Sequence, residues 1–248
     1  MSEKKPSKPY LLVKAIVHAI YGDMEVEGFE DLPEGGLVIV GNHAQVHGPI
    51  GSELFLGENR YTWCIGEMMS FKEVPAYAYK DFWSQKPRSV RWIFKIASYL
   101  IAPIAVFILN NANTIPVYHD ARVMVTFRQT LRLLREGARI VIFPERDAPY
   151  NNIVCEFQDK FVDLGKMYYG MTQKDLAFVP MYTAPKLKKM VLGAPVYYRH
   201  DQPAEEERAR ICREMQEAIT DLARSLPRHT VVPYPNIPKK DYPCNLQE

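Results

Sequence analysis

Two short β-branched runs that pass directly into polar residues constrain the fold of this chain most. Residues 37–43 read L-V-I-V-G-N-H and residues 139–145 read R-I-V-I-F-P-E. Apolar runs of this length are typical of strands buried inside a sheet. Because α/β proteins carry their chemistry at the carboxyl ends of such strands, we expect His43 and Glu145 to meet at one edge of a sheet.

The rest of the chain alternates between helical and strand patterns. This alternation predicts an α/β fold, a single domain with a mixed, mostly parallel sheet flanked by helices and preceded by an N-terminal apolar helix. Three segments are expected. Residues 1–23 form a basic tail with a membrane-associating helix, residues 24–226 form the α/β domain, and the proline-rich residues 227–248 form an extended tail.

Charge and cysteine usage exclude several functions. The chain has 248 residues, and 31 basic against 29 acidic side chains give a net charge of +2, so no nucleic-acid binding is predicted. Its four cysteines are widely spaced without a CxxC pair, which predicts neither a metal site nor a disulfide framework and indicates a reduced, cytoplasmic protein. No cofactor is expected.

Residues 93–109 form the most apolar segment, and two interpretations of its location remain open. A helical hairpin broken at Pro103 could lie in the core. A peripheral, membrane-surface segment without a spanning helix is favoured, because basic and tryptophan side chains flank the run. These flanking residues are Trp83, Lys86, Arg88, Arg91, Trp92 and Lys95. We therefore expect a protein bound to the inner face of the membrane.

Four blocks follow one another along residues 24–197: V-I-V-G-N-H, T-I-P-V-Y-H-D, I-V-I-F-P-E, and F-V-P-M-Y with V-L-G-A-P-V. In order and spacing they resemble the glycerolipid acyltransferases, the family typified by lysophosphatidic acid acyltransferase. The resemblance implies transfer of an acyl chain from acyl-CoA or acyl carrier protein to a lyso-lipid or related hydroxyl or amine acceptor. It implies that His43 removes the acceptor's proton and that Glu145 helps to hold the acceptor.

The chain departs from the family pattern at positions that matter for chemistry. Gly48 stands where the family has the aspartate that orients the histidine, and Gln45 stands where it has a small residue. His119 and Ala148 occupy positions where the family commonly has phosphate-binding arginines, so an acceptor without phosphate is expected. The candidate substrate-binding residues are Asn42, Gln45, His119, Arg146 and Lys160.

The absent aspartate raises the question of what holds the ring of His43. In serine proteases, disabling the orienting carboxylate costs about four orders of magnitude in rate, so an active enzyme needs a replacement. Glu145 is the expected one, reaching an imidazole nitrogen directly or through one water. Glu53 and Asp147 are alternatives, and His47 is an alternative base.

Two functions remain open from the sequence. The presence of His43 and Glu145 favours an active lipid acyltransferase. Gly48 favours a non-catalytic relative that binds acyl chains or lipids. If the family's geometry persists, Gly48→Asp is expected to maintain or raise activity.

Overall fold

The computed structural model describes residues 6–79, 91–118 and 120–246, with only the backbone of Ala78 and Asp147. Trp83, Lys86, Arg88 and His119 lie outside the described residues. The helices are α1 (Lys8–Tyr21), α2 (His47–Phe55), α3 (Val74–Ala78), α4 (Arg91–Asn111), α5 (Val123–Arg135), α6 (Asp163–Thr172) and α7 (Ala204–Ser225). The strands are β1 (Glu25–Glu27), β2 (Leu37–Gly41), β3 (Arg60–Ile65), β4 (Thr114–Val117), β5 (Arg139–Ile142), β6 (Glu145–Tyr150), β7 (Cys155–Phe157), β8 (Ala177–Ala184), β9 (Lys189–Leu192) and β10 (Val196–Tyr197).

The main sheet has the strand order β1-β9-β8-β2-β5-β3-β4, with β10 also paired to β8. Strand β2 lies parallel to both β5 and β8, and β3 lies parallel to β5, whereas β9 and β10 run antiparallel to β8. Strands β6 and β7 form a separate hairpin. The predicted α/β class and the mixed, mostly parallel sheet are therefore confirmed.

The described residues pack as two compact units. Unit 1 takes its residues from Met1–Tyr21 and Trp63–Gln129, and unit 2 from Gly22–Thr62 and Thr130–Glu248. Residues 227–246, expected to be an extended tail, lie in unit 2, where Val231 and Asn245 are buried.

The core of unit 2 lies around β2 and β8. All five residues of β2 and all eight of β8 are buried, which agrees with the apolar run on β2. Strand β8 continues through Pro180 to Ala184, although proline cannot donate a hydrogen bond to a neighbouring strand. Helix α7 buries a stripe of apolar residues at helical spacing, Ile211, Met215 and Ile219.

Helix α4 of unit 1 runs without a break from Arg91 to Asn111, with Pro103 inside it. A proline removes one helical hydrogen bond, but here it does not end the helix, so the reading of residues 93–109 as a hairpin is wrong. In length and composition α4 could cross a membrane, and only 17% of the apolar stretch within it is buried inside the protein.

Candidate active site

The candidate site forms where β2 and β5 end side by side. Their parallel register pairs Val40 with Ile142, which brings the residues after both strands to one edge of the sheet. There the backbone N–H of His43 donates a hydrogen bond to Oε2 of Glu145. The two residues lie in contact, as the strand pattern predicted.

Glu145 holds the backbone of His43 and not its ring. Its carboxylate is 3% exposed, and Oε1 accepts a second hydrogen bond, of 2.9 Å, from the backbone N–H of Cys155. Burial raises the pKa of Glu145 to about 7, against the lowering effect of the two N–H donors. Glu145 thus ties the loop after β2 to the β6–β7 hairpin, which corrects the expectation that it orients the imidazole.

The ring of His43 is held by a backbone carbonyl from its own loop. Nδ1 is hydrogen-bonded to the carbonyl oxygen of Gln45. Because a carbonyl can only accept, Nδ1 must carry the proton, and Nε2 is left with its lone pair. The carbonyl reaches back to the ring because Ala44 and Gln45 both adopt left-handed backbone conformations, with φ of 44° and 56°.

Two aromatic rings lie beside the imidazole. The ring centroids of Phe143 and Tyr234 each lie 5.4 Å from that of His43. Burial lowers the pKa of His43 from its usual 6.5, and the Gln45 carbonyl opposes this shift in part. The imidazole is therefore neutral at pH 7, and its Nε2 makes no hydrogen bond to another residue among those described. This is the state that a general base requires.

Gly48 leaves no room for the side chain that the family resemblance would place there. A Cβ on residue 48 would lie 2.7 Å from the carbonyl oxygen of Asn42, 2.8 Å from that of His43 and 2.7 Å from Cε1 of Phe143. Its N–H donates a 3.0 Å hydrogen bond to the His43 carbonyl, which draws the loop tight. In this loop the Gln45 carbonyl takes the position beside Nδ1 that a carboxylate would need.

Asn42 and Gln45, both expected to bind substrate, make contacts within the protein. Asn42 is 1% exposed, and its side-chain amide pairs with the backbone of Thr183, accepting from N–H at 2.7 Å and donating to the carbonyl at 3.2 Å. This pairing extends the β2–β8 ladder by one residue. The side-chain Nε2 of Gln45 donates a 2.7 Å hydrogen bond to the hydroxyl of Tyr242.

The remaining candidates lie as follows. Arg146 forms a 3.0 Å ion pair with Glu156, and both side chains are about half exposed. Lys160 is exposed in a short 3-10 turn. Glu53 forms an ion pair with Arg60, so it does not serve the ring of His43. His47 begins α2.

Tyr234 and Tyr242 are site residues that the sequence did not indicate. Both lie in the proline-rich segment that was expected to be a tail, and no periodic pattern or motif marks them. In the part of the chain that the structure describes, no group of three or more His, Cys, Asp or Glu residues could hold a metal ion.

Comparisons with known proteins give limited further information. No protein-family model matches the chain, and no curated protein matches it. Among solved structures, the chain is similar to the 1-acyl-sn-glycerophosphate (LPA) acyltransferase PlsC from Thermotoga maritima, with 15% sequence identity and a TM-score of 0.49. The match covers 90% of this chain and 83% of that chain. A likeness of this size assigns no activity to the chain.

Proposed function

We propose that the protein is a lipid acyltransferase that uses His43 as a general base without an orienting carboxylate. The single observation that carries the proposal is the hydrogen bond from Nδ1 of His43 to the Gln45 carbonyl, which leaves Nε2 able to take a proton. The resemblance of four sequence blocks to the glycerolipid acyltransferases supplies the reaction class.

In the proposed reaction, Nε2 of His43 takes the proton of the acceptor hydroxyl or amine as that atom attacks the carbonyl carbon of an acyl thioester. A new ester or amide bond forms, and the carbon–sulfur bond breaks. The proton passes from the imidazolium to the departing thiolate, so the products are the acylated acceptor and a free thiol. The Gln45 carbonyl stabilises the transient imidazolium through Nδ1–H.

A carbonyl stabilises the imidazolium less than a carboxylate does, because a carboxylate adds the attraction of its own negative charge to the hydrogen bond. Burial also lowers the pKa of His43. His43 is therefore a weaker base than the family's histidine–aspartate pair, but it stays unprotonated at a lower pH.

The proposed acceptor lacks a phosphate group. Arg146 follows Glu145 directly, but its guanidinium is already paired with Glu156. His119 and Lys160 are the other candidates for contacts with the head group. The donor is proposed to be acyl-CoA or acyl carrier protein.

Release of free thiol from acyl-CoA and acyl carrier protein donors, with a panel of lyso-lipids and amines, tests the proposal. We expect turnover with at least one phosphate-free acceptor to exceed that with lysophosphatidic acid, because bidentate guanidinium recognition of phosphate is reduced. Efficient use of lysophosphatidic acid, lost in Arg146→Ala, would reverse the acceptor assignment. Absence of turnover with every donor would leave the lipid-binding function in its place.

We also propose that unit 1 binds the membrane surface. Its helices α1 and α4 present large apolar side chains to the solvent, among them Leu12, Ile16, Ile20, Trp92, Ile96, Tyr99, Leu100 and Ile104. Monomeric soluble proteins rarely expose continuous apolar patches of this kind. Lys95 is exposed in the first turns of α4, which favours a helix lying in the interface over one crossing the bilayer. We propose the inner face of the cytoplasmic membrane as the location.

Flotation with anionic liposomes measures this membrane binding. We expect wild-type protein to float and Leu100→Glu/Ile104→Glu protein to remain in the soluble fraction, because each charge would have to enter the apolar layer. Met171→Glu is the matched control, since Met171 is an exposed apolar residue on α6 in unit 2. Wild-type protein that stays soluble at low salt would contradict the proposal.

A further inference from the structure

The last part of the chain, residues 227–246, is fixed to unit 2 by a set of buried hydrogen bonds; we call it the C-terminal strap. It doubles back on itself, since Thr230 bridges Cys244 and the N–H of Val231 donates to the Pro243 carbonyl at 2.9 Å. Asn245, only 1% exposed, accepts from the N–H of His229 and donates to the carbonyl of Ala223, both at 2.8 Å.

His229 joins the strap to the main sheet. Its Nε2 is hydrogen-bonded to the hydroxyl of Tyr182 on β8 at 2.9 Å, and its Nδ1 to the Pro227 carbonyl at 2.8 Å. His229 is 6% exposed and Tyr182 is 1% exposed. The strap therefore has a defined position relative to the loop after β2.

The strap meets that loop at two tyrosines. Tyr234 packs its ring against the imidazole of His43. The hydroxyl of Tyr242 accepts a 2.7 Å hydrogen bond from the side chain of Gln45, whose own carbonyl holds Nδ1 of His43. One residue of the loop thus connects the base to the strap.

The connection matters because Gln45 is held in a conformation that it does not favour. Its φ of 56° and the φ of 44° at Ala44 lie in the left-handed region, which costs non-glycine residues free energy and persists only where the surroundings hold it. Without an anchor on its side chain, Gln45 can relax to negative φ. Its carbonyl would then turn away from the ring.

We propose that Tyr242 is a positioning residue for His43, acting through the side chain of Gln45, so that the C-terminal strap is part of the catalytic site. The hydroxyl of Tyr242 bonds to the side chain of Gln45 and not to His43 itself. It fixes the carbonyl that sets the imidazole tautomer, and the proposal extends the function proposed above by naming what maintains its base.

The test uses Tyr242→Phe, which removes one hydroxyl and keeps the aromatic packing. Tyr197→Phe is the matched control, because Tyr197 is an exposed tyrosine of unit 2. The primary readout is the tautomer of His43 from ¹⁵N NMR of the imidazole, which needs no substrate. We expect Nδ1–H in the wild type and in Tyr197→Phe, and a mixture of tautomers in Tyr242→Phe.

Steady-state kinetics provide the second readout. In Tyr242→Phe we expect kcat to fall about tenfold, the size expected for one lost hydrogen bond, with KM unchanged. The acid limb of the pH profile should move to lower pH, because the Gln45 carbonyl raises the pKa of His43. Gln45→Ala should have the same effect, and the double variant should be no worse than either single variant.

A wild-type tautomer and kcat in Tyr242→Phe, or additive effects in the double variant, would overturn the proposal. If Tyr242→Phe fails to fold, Gln45→Ala decides alone, since it leaves the strap's buried anchors in place. If wild-type protein turns over no substrate, the proposed function fails, whereas the NMR measurement still decides whether Tyr242 positions the ring.

Discussion

His43→Ala is expected to lower thioester turnover by about 10²- to 10⁴-fold, the range that a general base contributes. The structure leaves Nε2 of His43 able to accept a proton, while Nδ1 is committed to the Gln45 carbonyl. Glu145 is not expected to substitute, because it is 3% exposed and both of its oxygens accept backbone N–H groups. Free-thiol release at saturating donor and acceptor measures the change, with thermal unfolding as the check on the fold.

His200→Ala is the matched control for this variant. His200 lies on the surface of unit 2, stacked on Tyr169 and bonded to Asp175, and its loss should leave turnover unchanged.

The pH dependence of turnover gives an independent check on the role of His43. A base works only in its neutral form, and burial places the pKa of His43 below 6.5, so turnover should persist at pH 6.5 and fall on further acidification. Wild-type turnover in His43→Ala would place the base elsewhere.

Gly48→Asp is expected to destabilise the protein and abolish turnover, which reverses the expectation drawn from the family resemblance. Its Cβ alone would lie within 2.8 Å of the carbonyl oxygens of Asn42 and His43, and overpacking of this kind typically costs about 1–3 kcal/mol in free energy of unfolding. The carboxylate adds the cost of a charge in a buried position beside two carbonyl oxygens.

Two alanine variants separate the steric effect from the charge. Gly48→Ala carries the same Cβ and should lose most of the stability that Gly48→Asp loses. Gly170→Ala is the control, because a Cβ at Gly170 meets nothing within 4 Å and alanine favours the helix there. The midpoint of urea unfolding measures the stability of each of the three variants, Gly48→Asp, Gly48→Ala and Gly170→Ala. A Gly48→Asp protein as stable and active as the wild type would show that the loop accommodates the family's aspartate.

The sheet and the meeting of His43 with Glu145 could be predicted because both follow from short-range patterns. An apolar β-branched run identifies a buried strand, and parallel strands bring their carboxyl ends to one edge. The class of fold, and the edge of the sheet that carries the candidate site, could therefore be predicted from residues 37–43 and 139–145. The inward stripe of α7 followed from helical spacing in the same way.

The way in which the ring of His43 is held could not be predicted. Ala44 and Gln45 have no intrinsic preference for positive φ, so nothing in their identity indicates that the Gln45 carbonyl turns back to the ring. The hydrogen bond from the His43 backbone to Glu145 depends on the same backbone conformation of this loop. Tyr242 was missed because proline content argued for an extended tail, whereas long-range packing decides where such a segment lies. From the sequence, Gly48 marked only the absence of the family's aspartate, whereas in the structure the tight loop leaves no space for a side chain at this position.

The hydrogen bond between Gln45 and Tyr242 joins residues 197 positions apart in the chain. Contacts of such long sequence separation form late, because the entropy of closing a long loop must first be overcome. During synthesis, β2 and its histidine leave the ribosome long before the strap has been made. The ring of His43 is therefore fixed only after the strap has been made, so a partly made chain would present His43 without the orientation that the proposed acyl transfer requires.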